Sequence, residues 1–487
     1  MQSTTAICPS LFNAATAQDG ILSRIRIPSG LITSNQCQAI ANLANQFGNG
    51  NIQITNRANL QIRASQALTL EVLQDLQDCG LASSTANIDG LRNIMASPTA
   101  GIDVHAKINT IPFVKQWDFY LSLHPELAIL SNKFSVCFDG GETINVGDRP
   151  NDICFVAVEL NGEIYFNLHL GLELDLVVLI HSKQVVEVLA ALTKVYRDYT
   201  QQKLDQKTHS HARPPRLREL LNDWGVERYL QLVQQRLSFS LSTSPRLQSG
   251  EIVTKRFEDY HHLGIHAQKQ AGLFYIGVVI PLGRLTALQF QGLGNLAKQY
   301  GGSTLRLTPW QNVLISDIAE SQIEQVTQEI AKLGLLISAN HPYAAIAACS
   351  GIKGCKAALT DTQSDARAIA IHLENWIKLD HPINIHFLGC DKSCAQHHPS
   401  DIALLAINSN PETYKVYVGE SEINFGRELY AEYAAKDLPN LMERLLKIYQ
   451  NQCQNSGQNS GQNSEQSFRE FVNKCNLQEL KQLLDHD

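Results

Sequence analysis

The chain is written twice. Residues 27–62 and 280–315 align at a constant offset of 253 without a gap, and 14 of 36 positions are identical, where chance would leave about two or three. Pro28/Pro281, Gly30/Gly283, Thr55/Thr308 and Asn59/Asn312 are among the identities. These are loop-type residues that helical periodicity does not demand. Two equivalent modules are therefore expected before any other feature is weighed.

Each copy reads as a strand (22–27; 274–280), a turn at Pro and Gly, and a helix opening after Thr33 or Thr286 with apolar residues at helical spacing. Two short strands follow (52–55 and 60–62, with their counterparts), and a second helical segment closes each copy (68–78; 320–333). Such α+β modules of about 65 residues are small enough to share one sheet. A weaker repeat at offset 249 matches Phe138 and Gly140 to Phe387 and Gly389, Asp152-Ile153 to Asp401-Ile402, and Tyr165 to Tyr414. Strand-like runs precede helices at 183–199 and 430–449. The tract QNSGQNSGQNS at 454–464 has nothing to bury and reads as a flexible tether. The tail beyond it carries helical spacing at Phe468, Phe471, Leu477, Leu480 and Leu484, and is expected to be dispensable for chemistry.

Of eleven cysteines, four stand in two close pairs: Cys349-x5-Cys355 and Cys390-x3-Cys394. Four thiolates are what a [4Fe–4S] cluster takes, one per iron. Zinc pairs usually have two to four intervening residues, so Cys-x5-Cys fits zinc poorly. On spacing alone the cluster leads, while zinc and unrelated core cysteines stay open. At offset 249 Cys390 faces Gly141 and Cys349 faces Ala100, so at these positions only the second copy carries thiols.

With 44% apolar and 18% charged residues the chain is expected to be globular, and a net charge of −7 argues against non-specific nucleic-acid binding. No apolar run reaches membrane-spanning length, and no N-terminal stretch reads as a signal peptide, so a cytoplasmic location is expected. No Gly-x-Gly-x-x-Gly follows any strand, so electrons are expected from a separate reduced carrier.

The duplicated layout with Cys-x5-Cys…Gly-Cys-x3-Cys in its second half resembles the sirohaem nitrite/sulfite reductase superfamily over about residues 15–450. Further resemblance lies in Thr55-Asn-Arg57-Ala-Asn59, Leu60–Arg63, Leu91-Arg92-Asn93, Lys133-Phe134, Leu221–Gly225 and His266–Gln270. It implies an α+β, duplicated reductase-like fold. The expected order is a ferredoxin-like half-domain (15–82), a module without cluster ligands (86–199), a helical linker (200–262), a second half-domain (265–335) and a cluster-bearing module (340–450). A low-complexity linker (451–467) and a C-terminal helix (468–487) complete it.

Within the superfamily, the opening Cys8–Phe12 segment and the loop Cys390-Asp-Lys392-Ser-Cys394-Ala395 look like precorrin-3B synthases. That resemblance implies a monooxygenase of cobalamin biosynthesis, hydroxylating the tetrapyrrole substrate precorrin-3A with O2 and forming a lactone. The alternative is a sirohaem-dependent assimilatory nitrite or sulfite reductase. The implied cofactors are a [4Fe–4S] cluster with either mononuclear non-haem iron or sirohaem beside it, Cys394 then being the candidate axial link. A ferredoxin or a reductase would be the electron donor.

Arg57, Arg63, Arg92 and Lys133 are the candidates for binding tetrapyrrole carboxylates or an anion, since guanidinium forks take carboxylates in bidentate fashion. The position two residues after Lys133 holds Ser135 where reductases carry another Lys, which is expected to disfavour a small oxyanion substrate. His397 and His398 lack a carboxylate partner in sequence and read as exposed loop histidines. His209 and His211 read as solvated, and Cys8 has no assigned role. No catalytic residue stands out.

Overall fold

The structure is a computed structural model that describes residues 9–171, 176–206, 213–245, 260–378, 381–421, 425–460 and 467–486. Cys8, His209 and His211 lie outside the described residues, as does the final Gln-Asn-Ser unit, 462–464.

The two small modules do not share one sheet as expected. They form two five-stranded sheets, each completed by a strand of the other copy. In the first, Ala15–Ala17, Gly20–Ile25, Leu60–Ala64 and Gly48–Ile54 are followed at the edge by Arg284–Thr286 from the second copy. In the second, Gly264–Ala267, Leu273–Val278, Val313–Ala319 and Thr304–Leu307 are followed by Leu31–Thr33 from the first. The exchanged strands pair antiparallel, Leu285 opposite Ile52 and Leu305 opposite Ile32.

Behind the sheets, helices Ser34–Phe47 and Ala287–Tyr300 pack on each other. Both open with a reciprocal cap, Thr33 with Gln36 and Thr286 with Gln289. The Gln291 amide donates to Gln38 Oε1 at 2.6 Å. These two residues are equivalent in the repeat, and equivalent residues touch only beside a twofold axis. A Cβ added to Gly294 would stand 2.8 Å from Cys37 Cβ, so the close helix approach depends on a glycine there. One apolar core, from Ile25 and Leu43 to Phe290 and Ile330, joins both modules.

Each large module has a mixed sheet of the same pattern. Ile94–Ala96, Val136–Asp139 and Ile153–Leu160 run parallel, and Glu163–His169, Leu176–His181 and Ser242–Pro245 continue antiparallel. The second copy has Ile346–Ala348, Ile385–Leu388, Ile402–Ser409, Glu412–Val418 and Arg427–Ala434. Helix Val185–Asp205 and the short helices Leu217–Trp224 and Val226–Gln234 pack onto the first sheet.

The helix expected at 430–449 starts later, because Arg427–Ala434 is a strand and Pro439 occupies the first turn of helix Leu438–Ser460. That helix also corrects the reading of the QNSG tract as a tether throughout, since it runs into the tract. The tail forms two helices, Phe468–Lys474 and Leu477–His486, whose Phe468, Phe471, Val472, Leu480 and Leu484 are buried in the second module's core. No described helix is long and apolar enough to cross a membrane.

Candidate functional site

The repeated Thr and Asn build one turn twice. Thr55 Oγ1 accepts from Asn59 N at 3.1 Å, and Asn59 Oδ1 accepts from Ile27 N at 2.9 Å. In the second copy Thr308 Oγ1 accepts from Asn312 N at 3.0 Å, and Asn312 Oδ1 accepts from Ile280 N at 2.9 Å. Each turn thrusts its middle residue, Arg57 or Trp310, into one cleft where the halves meet. Arg149, Tyr343, His397 and His398 also line it.

The four cysteines of the second copy converge beside this cleft. Burial, then the neighbouring thiols, push both Cys390 (beside Cys349 and Cys355) and Cys394 (beside Cys390, then Cys349 and Cys355) above the ordinary thiol range. No three His, Cys, Asp or Glu side chains among the described residues converge tightly enough to hold a single metal ion. Four thiols within electrostatic reach of one another are the number a [4Fe–4S] cluster takes, one per iron.

The backbone suits it as well. Gly389 N donates to Cys349 Sγ at 3.3 Å, and a Cβ there would meet that sulfur at 3.1 Å and Ala358 Cβ at 2.7 Å. Both small modules hold the second cysteine loop, since Asn56 Nδ2 donates to Cys394 O at 3.4 Å and Gln311 Nε2 to Ala395 O at 3.0 Å.

Strand register changes which residues of the first copy match the cysteines. Ile94 pairs with Val136 and Ile346 with Ile385, 42 and 39 positions apart, so the first copy is longer there. Cys349 and Cys355 therefore correspond to Ser97 and Asp103, not to Ala100 and its neighbours. Those residues fill their site with their own hydrogen bonds. Ser97 Oγ donates to Ile144 O at 2.7 Å, and Thr99 Oγ1 donates to Asp103 Oδ2 at 3.0 Å. Thr143 N and Oγ1 reach the two Asp103 oxygens at 3.0 and 3.1 Å.

The predicted basic residues separate into two groups. Arg57 and Lys133 face His397, whose imidazole is held below its ordinary value first by burial and then by these two cations. The Arg57 guanidinium donates to Asn151 Oδ1 at 2.9 Å and Pro150 O at 2.7 Å. Burial pushes it below its usual value against the opposing pull of Asp152.

Arg63 and Arg92 are engaged elsewhere. Arg63 bridges the halves beside the cluster loop, donating to Asp19 Oδ1 at 2.9 Å, Gln53 Oε1 at 3.0 Å and Ser350 Oγ at 2.7 Å. Arg92 clasps Asp118 at 2.8 and 3.0 Å. Ser135 lies buried against Asp152, its N–H and Oγ reaching Oδ2 at 3.0 and 3.2 Å. His266–Gln270 forms part of the seam between halves, with Lys269 N donating to Ile102 O at 2.8 Å and Gln270 Nε2 to Gly101 O at 3.1 Å.

Comparison with known proteins agrees with this architecture. Residues 15–78 and 266–333 match the nitrite/sulfite reductase ferredoxin-like half domain. Residues 87–241 and 343–487 match the nitrite and sulphite reductase 4Fe-4S domain. The chain belongs to the nitrite/sulfite reductase family.

Family members similar to it include a ferredoxin–nitrite reductase of Synechococcus elongatus, 31% identical over 456 residues, covering 87% of this chain and 85% of that protein. A chloroplastic ferredoxin–nitrite reductase of Zea mays is 29% identical over 81% of this chain and 71% of that protein. A sulfite reductase [ferredoxin] 2 of Mycolicibacterium paratuberculosis is 27% identical over 88% of this chain and 79% of that protein. The Mycobacterium tuberculosis NirA protein shares the fold, with a TM-score of 0.74 at 22% identity over 94% of this chain and 84% of that one.

These relatives overturn the expectation of an O2-dependent precorrin-3B synthase. The chain is an oxidoreductase of the reductase family, and neither monooxygenase chemistry nor a place in cobalamin synthesis has support. The opening segment that suggested otherwise has a packing role where it is described: Leu11 enters the shared core and Phe12 packs against it.

Sequence reasoning passed over Arg149 and Trp310. Trp310 was visible as the repeat partner of Arg57, whereas Arg149 carried no motif.

Proposed function

We propose that this chain is a ferredoxin-dependent nitrite reductase with a [4Fe–4S] cluster on Cys349, Cys355, Cys390 and Cys394 and a sirohaem in the adjoining cleft. The observation that carries this reading is the 31% identity, over 87% of the chain, to a protein named ferredoxin–nitrite reductase. Fold alone would not choose a substrate.

When bound, the two groups would supply stored electrons and an iron that takes the oxyanion. The chain's own residues hold and orient. Arg57 and Lys133 set positive charge at the cleft, where it favours an anionic substrate or the ring carboxylates. Arg63 steadies Ser350 next to Cys349. Arg92, tied to Asp118, acts through position. Mononuclear iron has no part in this proposal.

The test supplies sirohaem-loaded protein with reduced ferredoxin and follows nitrite loss with ammonium formation. The expected result is a kcat/KM for nitrite well above that for sulfite. Preference for sulfite would reassign the substrate, and consumption of neither would remove the reading.

A further inference from the structure

Arg149 is a buried cation of the cleft that makes no side-chain hydrogen bond among the described residues. Its side chain is 8% exposed, and among the described residues its guanidinium makes no hydrogen bond. Nε is buried without a partner. The nearest carboxylate oxygen, Asp148 Oδ1, stands 3.6 Å from Nε, beyond hydrogen-bond reach, on a side chain that is 62% exposed. Arg57 differs, since two of its nitrogens already bond Asn151 and Pro150. A desolvated cation with unmet donors is unfavourable unless something completes it.

The geometry around Arg149 fixes it for that purpose. Its guanidinium carbon lies 4.4 Å from the centre of the Trp310 ring, a cation–π contact. Trp310 is backed by the His262 ring at 4.8 Å, and Asn312 Nδ2 lies 3.1 Å from His262 Nε2. His262 is wholly buried and neutral, so it adds no competing charge. The nearby His398 is likewise held neutral, by burial and by Arg149 itself. Arg149 and Trp310 both line the cleft beside Ala395–His398, directly after the last cysteine.

We propose that Arg149, held flat on Trp310, is an oxyanion receptor of this cleft and takes a carboxylate-like group through its fork of N–H donors. The inference rests on the functional reading above. Under it the group is either a carboxylate of the bound tetrapyrrole or the oxyanion substrate.

The full chain, prepared without tetrapyrrole, is titrated with sirohydrochlorin and with its octamethyl ester, wild type against Arg149→Gln. Cluster iron content serves as the control for folding. Weaker sirohydrochlorin binding in the variant, by about ten- to a hundredfold and with ester binding unchanged, identifies a ring carboxylate. Unchanged sirohydrochlorin binding with nitrite affinity of the sirohaem-loaded variant down about tenfold identifies the substrate. Trp310→Leu should reproduce part of either loss, and Trp310→Phe less of it.

If the wild type binds both ligands and Arg149→Gln changes neither binding nor nitrite affinity, the inference is overturned. If the wild type binds no tetrapyrrole, the functional reading fails instead. Nitrite titrated against tryptophan fluorescence then judges Arg149 alone: a response lost in the variant supports the receptor, and an equal response overturns it.

Discussion

At the scale of single residues, the four cysteines and the cleft cations make separable predictions. Cys390→Ser removes one of four ligands, and iron and sulfide analysis should show the cluster lost or depleted together with activity. Full occupancy in that variant would contradict the ligand set. Arg57→Ala frees the 149–151 loop as well as removing a charge, so KM for nitrite should rise about tenfold, the scale of one charge-assisted pair. His386 gives a pH effect of defined sign. It is buried and pushed down to about 3 by burial and then by His397, against about 6.5 in an unfolded chain. Folding therefore excludes a proton that the unfolded chain accepts. The stability this contributes is complete above about pH 6.5 and fades as pH falls toward 3. Between pH 7 and pH 5 the wild type should lose more melting temperature than His386→Leu, and equal losses would show that another group governs the slope.

At the scale of elements, the C-terminal helix pair is part of the second module. Five of its apolar side chains enter that core, and Arg469 lies 2.9 Å from Asp401. Burial of each large apolar side chain contributes roughly 1.5–3 kcal/mol, and a domain's whole stability is only about 5–15 kcal/mol. A chain ending at Gln450 should therefore fail to accumulate as soluble, cluster-loaded protein, where the sequence reading expected no effect. Soluble truncated protein with full iron content would restore that reading. The helical spacing of Phe468 and Leu480 was legible, but their destination was not, because periodicity reports a buried face and not what buries it. The caps at Thr33 and Thr286 were legible for the opposite reason, since Thr and Gln three residues apart satisfy each other locally. The spacing of the cysteines singled out the four as a group. The Ser97–Asp103 plug could not be read that way, because a three-residue difference in loop length hides it at a fixed offset. Arg149 left no trace either, as its partner in the fold, Trp310, is 161 positions away.

At the scale of the whole molecule, the exchanged edge strands bind the halves more tightly than the repeat alone suggests. Residues 1–245 expressed alone would lack Arg284–Thr286 along Gly48–Ile54 and would expose half of the shared core. Each half alone should aggregate, while co-expressed halves should co-purify with iron bound to the second. Two soluble, separately purified halves would contradict this. The contact of Gln38 with Gln291 across the axis gives the exchange a further meaning. Two separate copies joined in this way would be a dimer that falls apart on dilution, whereas here the intervening chain makes assembly intramolecular. The duplicated protein should accordingly fold at the same rate in dilute and in concentrated solution.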